Sequence, residues 1–132
     1  MKYAYTIFYV EDVSATLQFY VRAFGFQQKF ITPEQDYGEL ISGETTIAFA
    51  SLALGESNFH GASGFEKTDL VKKSTGMEMA FVTDTIEEDF QRAIDAGAVE
   101  YVGIATKPWG QQVGYLRDPN GILIEICTPV KK

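Results

Sequence analysis

Several residue types are scarce in this chain of 132 residues, and each scarcity excludes something. There is one cysteine, Cys127, and one histidine, His60. A lone cysteine rules out an internal disulfide framework, and one of each rules out a zinc cluster of thiolates and imidazoles. Cys127 sits in an apolar stretch near the end and reads as a small buried hydrophobe. Cations are also few: 11 Lys and Arg against 18 Asp and Glu leave a net charge of −7. Scattered cations at that balance leave no nucleic-acid footprint, whereas an acidic field draws in cationic small molecules. No apolar run approaches the roughly 20 residues of a membrane span. The opening MKYAYTIFYVED lacks the apolar block and small-residue cleavage site of an export signal. The expectation is a cytoplasmic, complete chain with neither a membrane nor a nucleic acid as partner.

What is present is a pattern that occurs twice. Residues 3–10 (YAYTIFYV) alternate like a strand, Glu11-Asp12 start a helix, and Val13, Leu17, Tyr20 or Val21, and Phe24 mark one helix face before Gly25 ends it. Strands are expected at Phe26 to Ile31, Tyr37 to Ser42 and Thr45 to Ser51. The second half restarts with a strand at Met77 to Thr83 and a cap at Asp84. Ile86, Phe90, Ala93 and Ile94 follow on a helix face, with Gly97 as terminator. Asp84 stands 72 residues after Asp12, and Gly97 the same distance after Gly25, which predicts helices of equal length and an internal duplication. A strand at Val99 to Gly103 and a final hairpin complete the second set. Between the halves, Leu52 to Thr75 shows no clear periodicity and reads as a crossing or functional loop holding Phe59, His60 and Phe65. His60 is the one side chain with an unperturbed pKa near neutrality, although loop histidines are more often simply solvated.

The hairpin spans Gln111 to Arg117 and Ile122 to Cys127, with Asp118-Pro119-Asn120-Gly121 as a tight reversal. Glu125 stands inside its second strand, between Ile124 and Ile126. A charge there either faces solvent or lines a polar cavity.

Taken together, Val10-Glu11-Asp12, Phe19-Tyr20, Phe24-Gly25-Phe26, Ala80-Phe81 with Asp84, Ala96-Gly97-Ala98, Asp118-Pro119-Asn120-Gly121 and Ile124-Glu125 form an ordered set. With it the chain resembles the vicinal oxygen chelate superfamily of glyoxalase I, extradiol dioxygenases, and fosfomycin- and bleomycin-resistance proteins. The resemblance implies an α+β fold in which two βαβββ modules form a curled mixed sheet around a cleft. It implies one domain over residues 1–132, with module one at about 1–52, a linker at about 53–75 and module two at about 76–130. Homodimers with a cleft completed by the partner chain are also implied.

In metal-dependent members, histidines and carboxylates on the first, fourth, fifth and last strands hold a divalent ion. Those positions fall here on Tyr5, Ala48, Glu78 (or Met77, by the 72-residue offset) and Glu125. Alanine cannot ligate, so Glu125 and Glu78 are the only carboxylates left for a metal, and no cofactor is expected. The alternation of the first strand aims Tyr5, Ile7 and Tyr9 at the cleft. Further aromatic candidates are Phe49, Phe81 and Tyr115, with Trp109 in the Lys107-Pro108-Trp109-Gly110 turn at the rim.

That turn, the missing ligands and the acidic charge are similar to the metal-free bleomycin-resistance branch. Members of that branch sequester a flat cationic antibiotic at a dimer interface without catalysis. The expected function is metal-independent binding of a cationic or aromatic small molecule, with no catalytic residue. A glyoxalase-like lyase or dioxygenase with a non-standard ligand set is the alternative.

Overall fold

A computed structural model describes residues 1–60 and 64–130. The chain divides into two compact units, Met1–Lys67 and Thr68–Lys132. Each unit contains one four-stranded mixed sheet, and the fold is the α+β arrangement of doubled strand-helix-three-strand modules that the repeat implies.

In the first unit, β1 (Thr6–Val10) leads into α1 (Val13–Phe24), followed by β2 (Gln27–Ile31), β3 (Tyr37–Ser42) and β4 (Thr45–Ser51). The sheet order is β1-β4-β3-β2, with β1 parallel to β4 and the other pairs antiparallel. Asp12 caps α1 as expected: its carboxylate accepts from the Ala15 amide at 2.9 Å, and Gly25 closes the helix at φ 72°. Tyr20, not Val21, takes the buried place on the helix face, beside Val13, Leu17 and Ala23. That face lies on Leu40, Phe49 and the backbone at Gly38, where any Cβ would stand 2.5 Å from Leu17 Cδ1.

The stretch after β4 is not the aperiodic loop expected from Leu52 onward. Ser51 accepts from the Leu54 amide at 3.0 Å and caps a seven-residue helix, α2 (Leu52–Asn58). Its Gly55 backs onto the Tyr9 ring, and Tyr9 also stacks on Phe65 with centroids 4.5 Å apart. A helix of two turns with a glycine and little apolar stripe leaves almost no periodic signal, so tertiary contact with Tyr9 supplies what the pattern lacks.

The second unit repeats the plan with β5 (Met79–Val82), α3 (Ile86–Asp95), β6 (Val99–Thr106), β7 (Gln112–Arg117) and β8 (Leu123–Cys127) in the order β5-β8-β7-β6. Gly114 repeats the role of Gly38, since a Cβ there would stand 2.7 Å from Phe90 of α3. The equal helix lengths do not hold. Thr85, whose side chain makes no capping bond to the helix amides, takes the N-cap place expected for Asp84, and α3 has 10 residues against 12 in α1. Thr83 and Thr85 instead bond the Asp89 carboxylate one turn into the helix, which tightens the entry. Both first strands begin later than expected, at Thr6 and Met79, and β6 runs on to Thr106.

The hairpin forms on the residues expected of it. Asp118 is fully buried, and its Oδ1 accepts from the amides of Asn120 and Ile122, each at 2.8 Å. Gly121 follows at φ 92°. Asp118 does for this turn what an N-cap does for a helix: it satisfies amides that the reversal would otherwise strand. No described helix is long and apolar enough to cross a membrane.

Candidate functional site

Strand register decides which side chains share a face. In the second unit Glu125 lies opposite Ala80 of β5 and Tyr115 of β7, and Cys127 lies opposite Val82 and Val113. All stand on the sheet face away from α3. Glu78, one residue ahead of β5, reaches the same place and comes within hydrogen-bonding reach of Glu125. Of the two residues offered for this position Glu78 is therefore the one beside Glu125, while Met77 is 71% exposed.

This group has coherent electrostatics. Desolvation, and after it the charge and hydrogen bond of Glu125, hold the Glu78 carboxyl above the usual carboxylate range. The same causes, led by burial, push up the Tyr115 phenol and the Cys127 thiol, so both stay neutral at ordinary pH. The face thus presents two adjoining carboxyls between a neutral phenol and a neutral thiol.

The first unit holds a second polar group, one that the sequence reading overlooked. Glu39 of β3 is only 8% exposed and shares its face with Ala48 of β4, Ile7 of β1 and Phe30 of β2. The Tyr37 hydroxyl donates to Glu39 Oε2 at 2.6 Å, and Lys29 Nζ lies 3.5 Å from Oε1. Tyr5 is within hydrogen-bonding reach of Tyr37, whose phenol is driven far above its ordinary pKa, first by burial and then by Glu39. A signal was present: YGELIS places one charge among apolar strand residues, with a tyrosine two positions earlier on the same face.

Counting along the paired strands, Tyr5, Glu39 and Ala48 in the first unit correspond to Glu78, Tyr115 and Glu125 in the second. The duplication keeps the positions and exchanges the chemistry.

Two of the expected aromatic candidates face the other way. Phe49 is fully buried, 5.0 Å from the Tyr20 ring of α1, because β4 alternation sends Ala48 and Ala50 to the open face and Phe49 to the helix. Phe81 pairs with Ile126, which in turn pairs with Gly114, and all three belong to the α3 side. Tyr5 and Ile7 do present exposed surface, 43% and 39%. Tyr9 shares their face, but its ring is taken up by Phe59 and Phe65. Trp109 is 61% exposed, and its Nε1 donates to Gln111 Oε1 at 2.8 Å. Gln111 in turn donates to the Thr128 carbonyl, which fixes the turn to the end of β8. His60 closes α2 at φ 55°, exposed.

A divalent ion of the kind the resemblance implies needs about four to six donors. The second unit offers two carboxyls, one of them holding its proton above the normal range, and Ala48 contributes no donor atom. No group of three or more His, Cys, Asp or Glu suited to a metal ion occurs among the described residues. The residues present do not fit a resident ion.

Two modules of this topology, each with its helix on one face, define a protein of the glyoxalase/bleomycin-resistance fold. Residues 3–131 match the family model of the glyoxalase-like domain, and the chain belongs to that family. A glyoxalase/bleomycin resistance protein/dioxygenase family enzyme from Burkholderia phytofirmans superposes with a TM-score of 0.82 at 22% identity, covering 97% of this chain and 98% of that one. A glyoxalase-related enzyme from Fulvimarina pelagi gives a TM-score of 0.79 at 20% identity, covering 98% of this chain and 88% of its own. The uncharacterised protein Mb0911c of Mycobacterium bovis is 26% identical over 123 residues, which are 93% of this chain and 80% of that protein.

Proposed function

We propose that the chain is a metal-independent binding protein of its superfamily that holds a cationic or aromatic small molecule without transforming it, in the manner of the bleomycin-resistance branch. The observation that carries this reading is the adjacency of Glu78 and Glu125 beside a neutral Tyr115. Two carboxyls that repel one another gain from a cation placed between them, and a phenol ring beside them adds a surface for stacking. The chain's net charge of −7 favours the approach of such a ligand. The working species is taken to be a homodimer, which sedimentation equilibrium tests.

The experiment is a fluorescence titration with acriflavine, a flat aromatic cation, on the purified protein and on Glu125→Gln. Saturable binding that weakens about tenfold in the variant supports the reading, since one counter-charge is worth on the order of 1 kcal/mol at a partly exposed site. Equal binding by both proteins removes Glu125 from the site. A second arm supplies nickel, zinc, manganese or iron and measures retained metal after gel filtration. One tightly held ion per chain would instead favour a glyoxalase-like lyase or dioxygenase with Glu78 and Glu125 among its ligands.

A further inference from the structure

The second unit contains a cavity of about 520 Å³ on a different set of residues from the carboxyl pair. Its polar lining is Lys72, Lys73, Ser74, Thr75, Tyr101 and Arg117. In a chain with 11 cationic residues against 18 acids, three cations meet here, and no carboxylate is among the described residues of the wall.

The strongest feature is Arg117, only 8% exposed. Its Nε donates to the Gly121 carbonyl at 3.0 Å, Nη1 to the carbonyls of Leu70 and Lys72 at 3.3 and 2.9 Å, and Nη2 to those of Asp69 and Gly121 at 2.9 and 2.8 Å. All five N–H groups are thus satisfied by neutral main-chain oxygens. Those carbonyls meet the hydrogen-bonding need of the guanidinium and hold Arg117 in a fixed place on the wall of the cavity that Lys72 and Lys73 also line. The nearby Asp69 carboxylate is turned to the main chain, with Oδ1 accepting from the Val71 and Lys72 amides at 3.0 and 2.9 Å.

Another part of the lining is shaped by a strand irregularity. Glu100 pairs with Leu116 and Val102 with Tyr115, so Tyr101 is the extra residue of a β-bulge, and bulges re-aim the side chain they carry. Tyr101 brings an exposed ring, 64% accessible, to the cavity, and Leu70 and Leu123 add apolar surface. Ser74 and Thr75 bring hydroxyls; that of Ser74 donates to the Thr75 carbonyl at 3.2 Å and can rotate toward a better acceptor.

We propose that this cavity is an anion site for a small organic phosphate whose ester group is planar. Lys72, Lys73 and the hydroxyls meet the phosphate oxygens, and Tyr101 stacks on the planar group. The volume lies within the usual range for small-molecule sites.

The test is isothermal titration of the whole protein with phenyl phosphate and, separately, with inorganic phosphate. Saturable binding is expected from both, tighter for phenyl phosphate. The double variant Lys72→Gln, Lys73→Gln changes two exposed side chains, leaves the main-chain carbonyls that hold Arg117 in place, and should lose about tenfold or more in affinity. Tyr101→Ala should bring phenyl phosphate down to the affinity of inorganic phosphate without changing the latter. Glu125→Gln should change neither affinity, which keeps this result separate from the carboxyl site. The proposal is overturned by the absence of saturable heat with either compound, by a double variant that binds as the parent does, or by a phosphate affinity that follows Glu125.

Discussion

The hydroxyl of Tyr37 donates to the carboxylate of Glu39 at 2.6 Å, from two positions earlier on the same strand and the same face. Glu39 is buried, and Lys29, half exposed, lies 3.5 Å from its other oxygen, so the phenol is the closer support of that charge. Tyr37→Phe keeps the ring and removes the donor, leaving a buried carboxylate short of a bond. It should lower stability by about 2 kcal/mol, the usual scale for a hydrogen bond to a charged group. Urea unfolding at neutral pH measures the loss, and a change much smaller than this would mean that water replaces the phenol.

Glu78 gives a pH dependence of definite sign. Its folded pKa lies above the ordinary carboxyl value of 4.5. Its contribution to stability is therefore complete below about pH 4.5 and declines as pH rises through the raised folded value, where the folded protein still holds a proton that the unfolded chain has released. Glu78→Gln removes that decline. Melting temperatures of parent and variant, followed upward from acid, should diverge in favour of the variant, and parallel curves would show that the two carboxyls do not interact.

Phe49 and Tyr5 separate the two faces of the first sheet. Phe49→Ala opens a void under α1 and should cost about 3–5 kcal/mol. Tyr5→Ala, at a position 43% exposed, should cost far less. Urea denaturation of both variants tests the assignment. A stability loss in Tyr5→Ala as large as that in Phe49→Ala would place Tyr5 in the core.

Gly121 should tolerate no side chain. Its φ of 92° costs an L-residue about 1–2 kcal/mol. A Cβ there would also stand 2.4 Å from the Asp69 carbonyl oxygen and 2.9 Å from Arg117 Nη2. Gly121→Ala must therefore push the 69–72 segment off the turn as well as strain it. We expect a loss above about 2 kcal/mol and faster hydrogen exchange at Val71 and Lys72, whose amides bond Asp69. A loss within about 1 kcal/mol would show that the segment yields freely.

The repeat was legible because its punctuation is local. Asp12, Gly25 and the Asp118-Pro119-Asn120-Gly121 turn act through bonds to their own neighbours, and the structure uses each of them as their residue types suggest. The α2 helix was not legible, because Leu52–Asn58 is held by Tyr9, far away in sequence. Side-chain direction was legible only where register was known. Register puts Glu125 and Tyr115 on one face, whereas aromatic character alone says nothing of direction: alternation from Ala48 and Ala80 turns Phe49 and Phe81 to the helix side. Glu39 escaped because its burial depends on Tyr37 and Lys29 together, one of them across a bulge between Gln28 and Phe30.

Arg117 does in this chain the joining work often left to a sulfur bridge. With one cysteine no covalent tie is available, and the segment 69–72 is instead fastened to the last hairpin through a single guanidinium that grips carbonyls on both sides. Such a fastening is indifferent to thiols and oxidants. Its strength is set by hydrogen bonds alone, so it holds equally in reducing and oxidising surroundings.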